Sequence, residues 1–201
     1  MRKDITKAVV DADFFIKLTE HGEQEYLFLK ILEDLGIEPI MHCYVYEEEL
    51  RKSAIIKSLV QKKKIKVYDY SDYITEENKD EYEEYFYEAY ERFNGFEFDE
   101  RQNLYKYHAV KESLGEIRSL YMAKELGIPY FMSDDSGLKY YVKKWFSSNK
   151  HSIEIVSIYE ALLWCKERGT DITWKDLNPT ITVIFRERRK KLEEIKRVYT
   201  M

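Results

Sequence analysis

Six carboxylates stand at positions where a folded chain has little structural use for them. Asp11 and Asp13 follow the short apolar run at 8–10 (AVV), and Asp134 and Asp135 follow the run at 130–133 (YFMS). Each run reads as a buried strand, and ligand sites in open α/β sheets form beyond the carboxyl ends of such strands. One acid at a strand end is usually a helix cap or a turn former. Two such ends in one chain point further. Spaced 100° apart, Tyr46, Leu50, Ser53, Ile56 and Val60 share one face of a helix expected over 44–60, and Glu49 falls in the middle of it. Glu47 lies on the far side and Glu48 at the edge. Glu116 sits likewise between Leu120 and Ala123, with Arg118 and Glu125 pointing away, although Ser113-x-x-Glu116 is also the spacing of a capping box. A carboxylate on an apolar face is costly without a partner.

If Asp11, Glu49, Glu116 and Asp134 or Asp135 converge, they cannot all ionise without a cation among them. A hard divalent ion, Mg²⁺ or Mn²⁺, suits an all-oxygen site, and it can polarise a phosphoryl oxygen and acidify water for phosphodiester hydrolysis. Other residue types offer less. Cys43 and Cys165 are far apart with no zinc-ligand spacing and read as reduced core residues. His21, His42, His108 and His151 are scattered and read as structural or surface groups.

The elements that must position these acids alternate. A helix over 23–35 stops at Gly36, and an extended segment at 37–41 precedes the long helix. A strand is expected at 65–68, a helix at 116–126, a strand at 130–133, a helix at 137–146, a strand at 153–156, a helix at 158–168 and a final helix at 182–199. Strands separated by helices predict one α/β domain over 1–201, with a largely parallel sheet. Between the strands, residues 82–93 place Tyr82, Tyr85, Phe86, Ala89, Tyr90 and Phe93 on one helical face opposite a largely glutamate face. Such a stripe could stack nucleobases, but its acidic reverse would repel phosphate, so packing onto the core is the expectation.

Length and charge narrow the class. The 201 residues carry 33 Lys+Arg against 38 Asp+Glu, a net charge of −5, with 44% hydrophobic and 15% aromatic residues. That balance excludes a disordered chain, and the length suffices for a core without staples. No apolar run approaches the roughly 18 to 20 residues of a membrane span. The N-terminus (Met1, Arg2, Lys3, Asp4) has no apolar h-region behind it, so a cytoplasmic protein is expected. Charge is segregated: residues 51–66 hold seven basic residues and no acid, residues 69–100 hold thirteen acids against Lys79 and Arg92, and residues 186–197 hold seven basic residues against three acids. Two basic surfaces, one with Lys62, Lys63 and Lys64 and one with Arg188, Arg189 and Lys190, are thus open to a polyanion.

In order and spacing, VVDADFFIKL around Asp11, YVYEEEL around Glu49, LGEIRSLYMAKELGIPYFMSDD up to Asp135, and IEIVSIYEALL near 155 resemble the PIN-domain nucleases over about residues 5–168. The resemblance implies a PIN-like α/β/α sandwich with a helical insertion at 70–107 and a C-terminal extension at 170–201. It implies metal-dependent cleavage of RNA, with Asp11, Glu49, Glu116 and Asp135 as the four acids. Asp134 competes for the fourth place, and Asp13 departs from the usual Ser, Thr or Asn and could serve a second Mg²⁺ or Mn²⁺ or simply turn the chain. Many members are toxins paired with an antitoxin protein, so RNA and an antitoxin are the implied partners; a homodimer is left open. Two other readings stand beside this one. Asp11-x-Asp13 with Asp134-Asp135 also resembles the haloacid-dehalogenase phosphatases, although Phe14-Phe15 replaces the usual Gly and Thr or Val, and Glu49 and Glu116 would have no role. The other is a non-catalytic PIN-like module that binds RNA or protein through its acidic insertion.

Overall fold

Ala8, Val9 and Val10 are fully buried at the middle of a five-stranded sheet. The computed structural model describes residues 6–20, 25–109, 112–135, 137–145 and 152–200. Along the chain, β1 (Thr6–Val10) is followed by α1 (Ala12–Thr19) and α2 (Tyr26–Leu35), and β2 (Ile37–His42) by a π-helical turn (Val45–Glu49) and α3 (Ala54–Gln61). Next come β3 (Lys66–Tyr68), α4 (Lys79–Asn94) and α5 (Leu114–Glu125), then β4 (Tyr130–Met132) with α6 (Leu138–Trp145). The chain ends with β5 (Glu154–Val156), α7 (Ile158–Glu167), α8 (Trp174–Ile184) and α9 (Arg189–Thr200). The strand order is β3-β2-β1-β4-β5, and every pair is parallel.

Strand alternation divides the core in two. Ala8 and Val10 join one buried cluster with α1, α2, α3, α7, α8 and α9, while Val9 joins another with α4, α5 and α6. Both faces of the sheet are therefore covered, an arrangement compatible with the expected α/β/α sandwich. Right-handed crossovers explain the division. From β1 the chain winds outward through β2 and β3; it then crosses back and winds the other way through β4 and β5. The loops leaving β1 and β4 consequently part toward opposite faces, and a crevice opens at the carboxyl ends of those two strands. Asp11 and Asp134 lie at its edges. No described helix is long and apolar enough to cross a membrane.

Two expected helices differ. The single helix over 44–60 is instead the π-helical turn, in which the Leu50 N–H donates to the Val45 carbonyl at 2.9 Å, and a separate α3 capped by Ser53, whose hydroxyl accepts from the Ile56 N–H at 3.3 Å. The extra residue in the turn breaks the 100° phase that linked Glu49 to Ile56 and Val60. The final helix, expected over 182–199, is two. A capping box starts α8 at Thr173, whose N–H and hydroxyl both donate to Asp176, and burial of Leu177 and Ile181 carries the helix through Pro179. Residues 23, 24 and 146 of the expected helices lie outside the described residues, as do His21 and His151. The aromatic stripe packs inward as expected: Tyr82, Phe86, Ala89 and Tyr90 of α4 are buried, with the Tyr82 ring edge-on to Tyr121 of α5 at 4.9 Å. Because α4 covers it, α5 is buried almost all round. Arg118, expected to face away, is fully buried.

Candidate active site

Beyond the carboxyl end of β1 lies a cleft of about 610 Å³ lined by Asp11, Asp13, Glu49 and Glu116, with Tyr44, Glu48, His108 and Glu112 on its walls; Asp134 and Asp135, after β4, do not line it. Asp11 arrives directly from β1, its N–H donating to the Met132 carbonyl at 3.1 Å. It occupies the position before α1 that a capping side chain would use, yet its carboxylate makes no cap hydrogen bond. Likewise Ser113, before α5, makes no side-chain cap hydrogen bond, so the capping-box explanation for Glu116 does not hold. Glu116 lies in the first turn of α5, where the helix dipole favours an anion. Glu49 comes from the end of the π-helical turn and hangs over Gly115, whose backbone N–H donates to its carboxylate. A Cβ at Gly115 would sit 2.9 Å from Glu49 Cδ and closer still to Oε1, so only glycine leaves this seat open.

The six acids fall into two groups. The Asp134 side chain is fully buried, and its Oδ2 takes both Lys17 Nζ at 3.1 Å and a guanidinium nitrogen of Arg188 at 2.7 Å. Lys17 also binds Asp13 Oδ2 at 3.0 Å, and Asp13 Oδ1 accepts from the Asp134 N–H and the Ser133 hydroxyl, both at 3.2 Å. Asp13 and Asp134 are thus neutralised by Lys17 and Arg188. Among the described residues, Asp11, Glu49, Glu116 and Asp135 have no salt-bridge partner. Burial and crowding register in the protonation of Asp11, Glu49 and Glu116. Burial, then Glu116, Asp13 and Glu49, hold the Asp11 carboxyl well above the usual carboxylate range. Glu49 is open to solvent along much of its side chain, but the protein around its carboxylate and the charge of Glu116 push it up to about 7. Glu116 is raised by burial and by Asp135 and Asp13. Asp135 is exposed; its Oδ1 accepts from the Gly137 N–H at 2.8 Å, and its own N–H donates to Ser133 Oγ at 3.2 Å.

Do these residues fit a divalent cation? The donors without a salt-bridge partner are all carboxylate oxygens, the chemistry that Mg²⁺ and Mn²⁺ take, and the raised protonation of Asp11, Glu49 and Glu116, from burial first and from neighbouring carboxylates second, is what a bound cation would reverse. As they stand, no three carboxylate, imidazole or thiolate groups among the described residues converge closely enough to hold one ion. The fit is one of charge and donor type.

The two basic surfaces part company. Lys62, Lys63 and Lys64 precede β3 and so lie toward its amino end, away from the carboxyl edge that carries the acids; Lys62 pairs instead with Glu25 at 3.4 Å beside a groove between α2 and α3. The segment between α8 and α9 reaches the acids: Arg188 binds Asp134, and Arg189 and Lys190 line a cleft with its neighbours. Sequence reasoning missed Lys17, Gly115, Tyr44 and His108. Lys17 stands four residues after Asp13, the spacing of a helical ion pair, and a glycine in the first turn of a helix is itself a signal of close approach. His108 gives none, because a loop carries it to the cleft. Cys165 is buried as expected, while Cys43 is only half-buried, with its thiol against Asp69 at 3.3 Å. No protein-family model, curated protein or solved structure matches the chain.

Proposed function

We propose that this protein is a metal-dependent ribonuclease of PIN-like build, hydrolysing phosphodiester bonds at the carboxyl ends of β1 and β4. One observation carries the reading: of the six acids, Asp13 and Asp134 are neutralised by Lys17 and Arg188, whereas among the described residues Asp11, Glu49, Glu116 and Asp135 have no salt-bridge partner. Asp11, only 2% exposed, is the costly member to leave unpaired. Asp11, Glu116 and Asp135 would hold one or two Mg²⁺ or Mn²⁺ ions, and Glu49 would complete the donor set. Bound there, the ion supplies polarisation of a phosphoryl oxygen and hydroxide at neutral pH. The chain's own residues supply position. Ser133 fixes Asp11 at 3.1 Å, and the Lys17–Asp134–Arg188 group fixes the β4 loop against α1. Arg189 and Lys190 line a separate basic cleft next to Arg188, which a phosphate backbone could follow. Asp13 and Asp134 are thereby proposed to position the site and not to ligate.

The test is cleavage of a labelled single-stranded RNA by the wild type, Asp11→Asn and Glu116→Gln, each with Mn²⁺ and with EDTA. Cleavage is expected only in the wild type with Mn²⁺. Equal cleavage in every lane, or none in any, sinks the reading.

A further inference from the structure

We infer that His108 is the outer plate of an aromatic stack that receives an unpaired nucleobase of the strand lying across the acid cleft; this rests on reading that cleft as an RNA-cleaving site. The stack is built from the core outward. Arg118, fully buried, places its guanidinium 4.2 Å from the centre of the Tyr44 ring, and His108 lies parallel to that ring, 10° from coplanar at a centroid distance of 5.7 Å. Tyr44 is only 6% exposed, but the His108 side chain is 53% exposed at the mouth of the cleft that holds Asp11, Glu49 and Glu116. The plate is also fixed. Arg118 donates to the carbonyls of Leu104 at 2.7 Å and Tyr107 at 2.9 Å, and the Tyr44 hydroxyl donates to the Ala109 carbonyl at 3.4 Å. A loop tied on both sides of His108 presents its ring with little ordering left to lose, which favours binding.

The other aromatic groups do not compete. Tyr82, Phe86 and Tyr90 are buried on the inner face of α4, and the exposed Tyr26, Phe96 and Tyr140 do not line this cleft. Nor does anything in the fold need an imidazole at 108: Nδ1 stands 3.7 Å from Glu48, a loose contact on a half-exposed ring. A planar ring beside unpaired carboxylates matches a nucleotide, whose phosphate would meet the cation side and whose base would meet the stack. A base in a duplex has both faces covered, so the site selects single strands.

The test is binding in an Asp11→Asn background with Mn²⁺, where cleavage is not expected, using an oligoadenylate that carries one 2-aminopurine. His108→Ala is expected to weaken binding roughly 5- to 150-fold, the range for loss of one base–aromatic stack, and to abolish quenching of the 2-aminopurine. His108→Phe, which keeps a ring but no imidazole, is expected to stay within about threefold of the parent. Unchanged affinity in His108→Ala overturns the inference, as does a Phe variant as weak as the Ala variant, or a duplex bound as tightly as the single strand. Cleavage does not enter this assay. A wild type that binds the single strand through His108 but never cleaves it defeats the nuclease reading alone, and one that cleaves RNA while His108→Ala binds normally defeats the stack alone.

Discussion

Replacing Gly115 with alanine separates the site from the fold. Gly115 is the second residue of α5 and has no unusual backbone angle, so alanine is tolerated by the helix and favoured there by up to about 1 kcal/mol. The new Cβ would lie 2.9 Å from Glu49 Cδ and closer to Oε1, against ordinary contacts that begin at 3.4 Å, so the carboxylate must withdraw by about 1 Å at its leading oxygen. What moves is the end of a flexible, solvent-reached side chain, and water replaces the lost Gly115 N–H. Net stability should therefore change by no more than about 1 kcal/mol. Activity should respond quite differently, since a misplacement of about 1 Å in a catalytic constellation costs on the order of 100-fold, or about 2.7 kcal/mol in the barrier. Urea denaturation gives the first quantity and single-turnover cleavage of single-stranded RNA with Mn²⁺ gives the second. Glu49→Asp, one methylene shorter, should recover part of the loss when combined with Gly115→Ala. A Gly115→Ala protein that folds normally and cleaves at the wild-type rate would refute any part for Glu49 on its Gly115 seat.

The raised carboxyls make stability depend on pH in a defined direction. Asp11, Glu49 and Glu116 hold protons in the folded state that the unfolded chain releases, so their contribution is fully present below about 4.5 and is lost as pH rises through about 7 for Glu49. Mn²⁺ should accordingly raise the melting temperature more at pH 8 than at pH 5.5; an equal rise at both, read by calorimetry, contradicts a site built on these acids. Lys17→Met or Arg188→Met leaves buried Asp134 with one cation, and because both cations are partly solvent-exposed each loss should cost about 1 to 2 kcal/mol in urea, with the double variant costing more than the sum. Substituting Lys62, Lys63 and Lys64 with alanine should leave RNA affinity within about twofold. The same change at Arg186, Arg189 and Lys190 should weaken binding and flatten its salt dependence by roughly two units of slope, measured by fluorescence anisotropy across a salt series.

Strand ends were readable because two rules acted together at them. A run such as 8–10 is apolar on both faces only if helices cover both, and a charged residue can interrupt it only where the strand leaves the core; Asp11 and Asp134 therefore mark the carboxyl edge by themselves. Helix phase was less secure. Glu49 does line the cleft, but not for the reason that 100° spacing suggests: its turn is π-helical, and its direction is set by the open seat over Gly115. Arg118 shows the opposite failure. Its position looks solvent-facing when α5 is taken alone, and it is buried because the chain between β3 and α5 covers it and offers the Leu104 and Tyr107 carbonyls. The division of the six acids was beyond any local pattern, since it depends on Arg188 reaching Asp134 from 54 residues away. Acid positions follow from strand chemistry, which is local; which acids remain free to bind a cation follows from which basic residues the topology returns to them. Charge counts along the chain cannot replace that second step: the densest lysine cluster, at 62–64, is turned away, while one lysine of α1 and one arginine beyond α8 together pair Asp134.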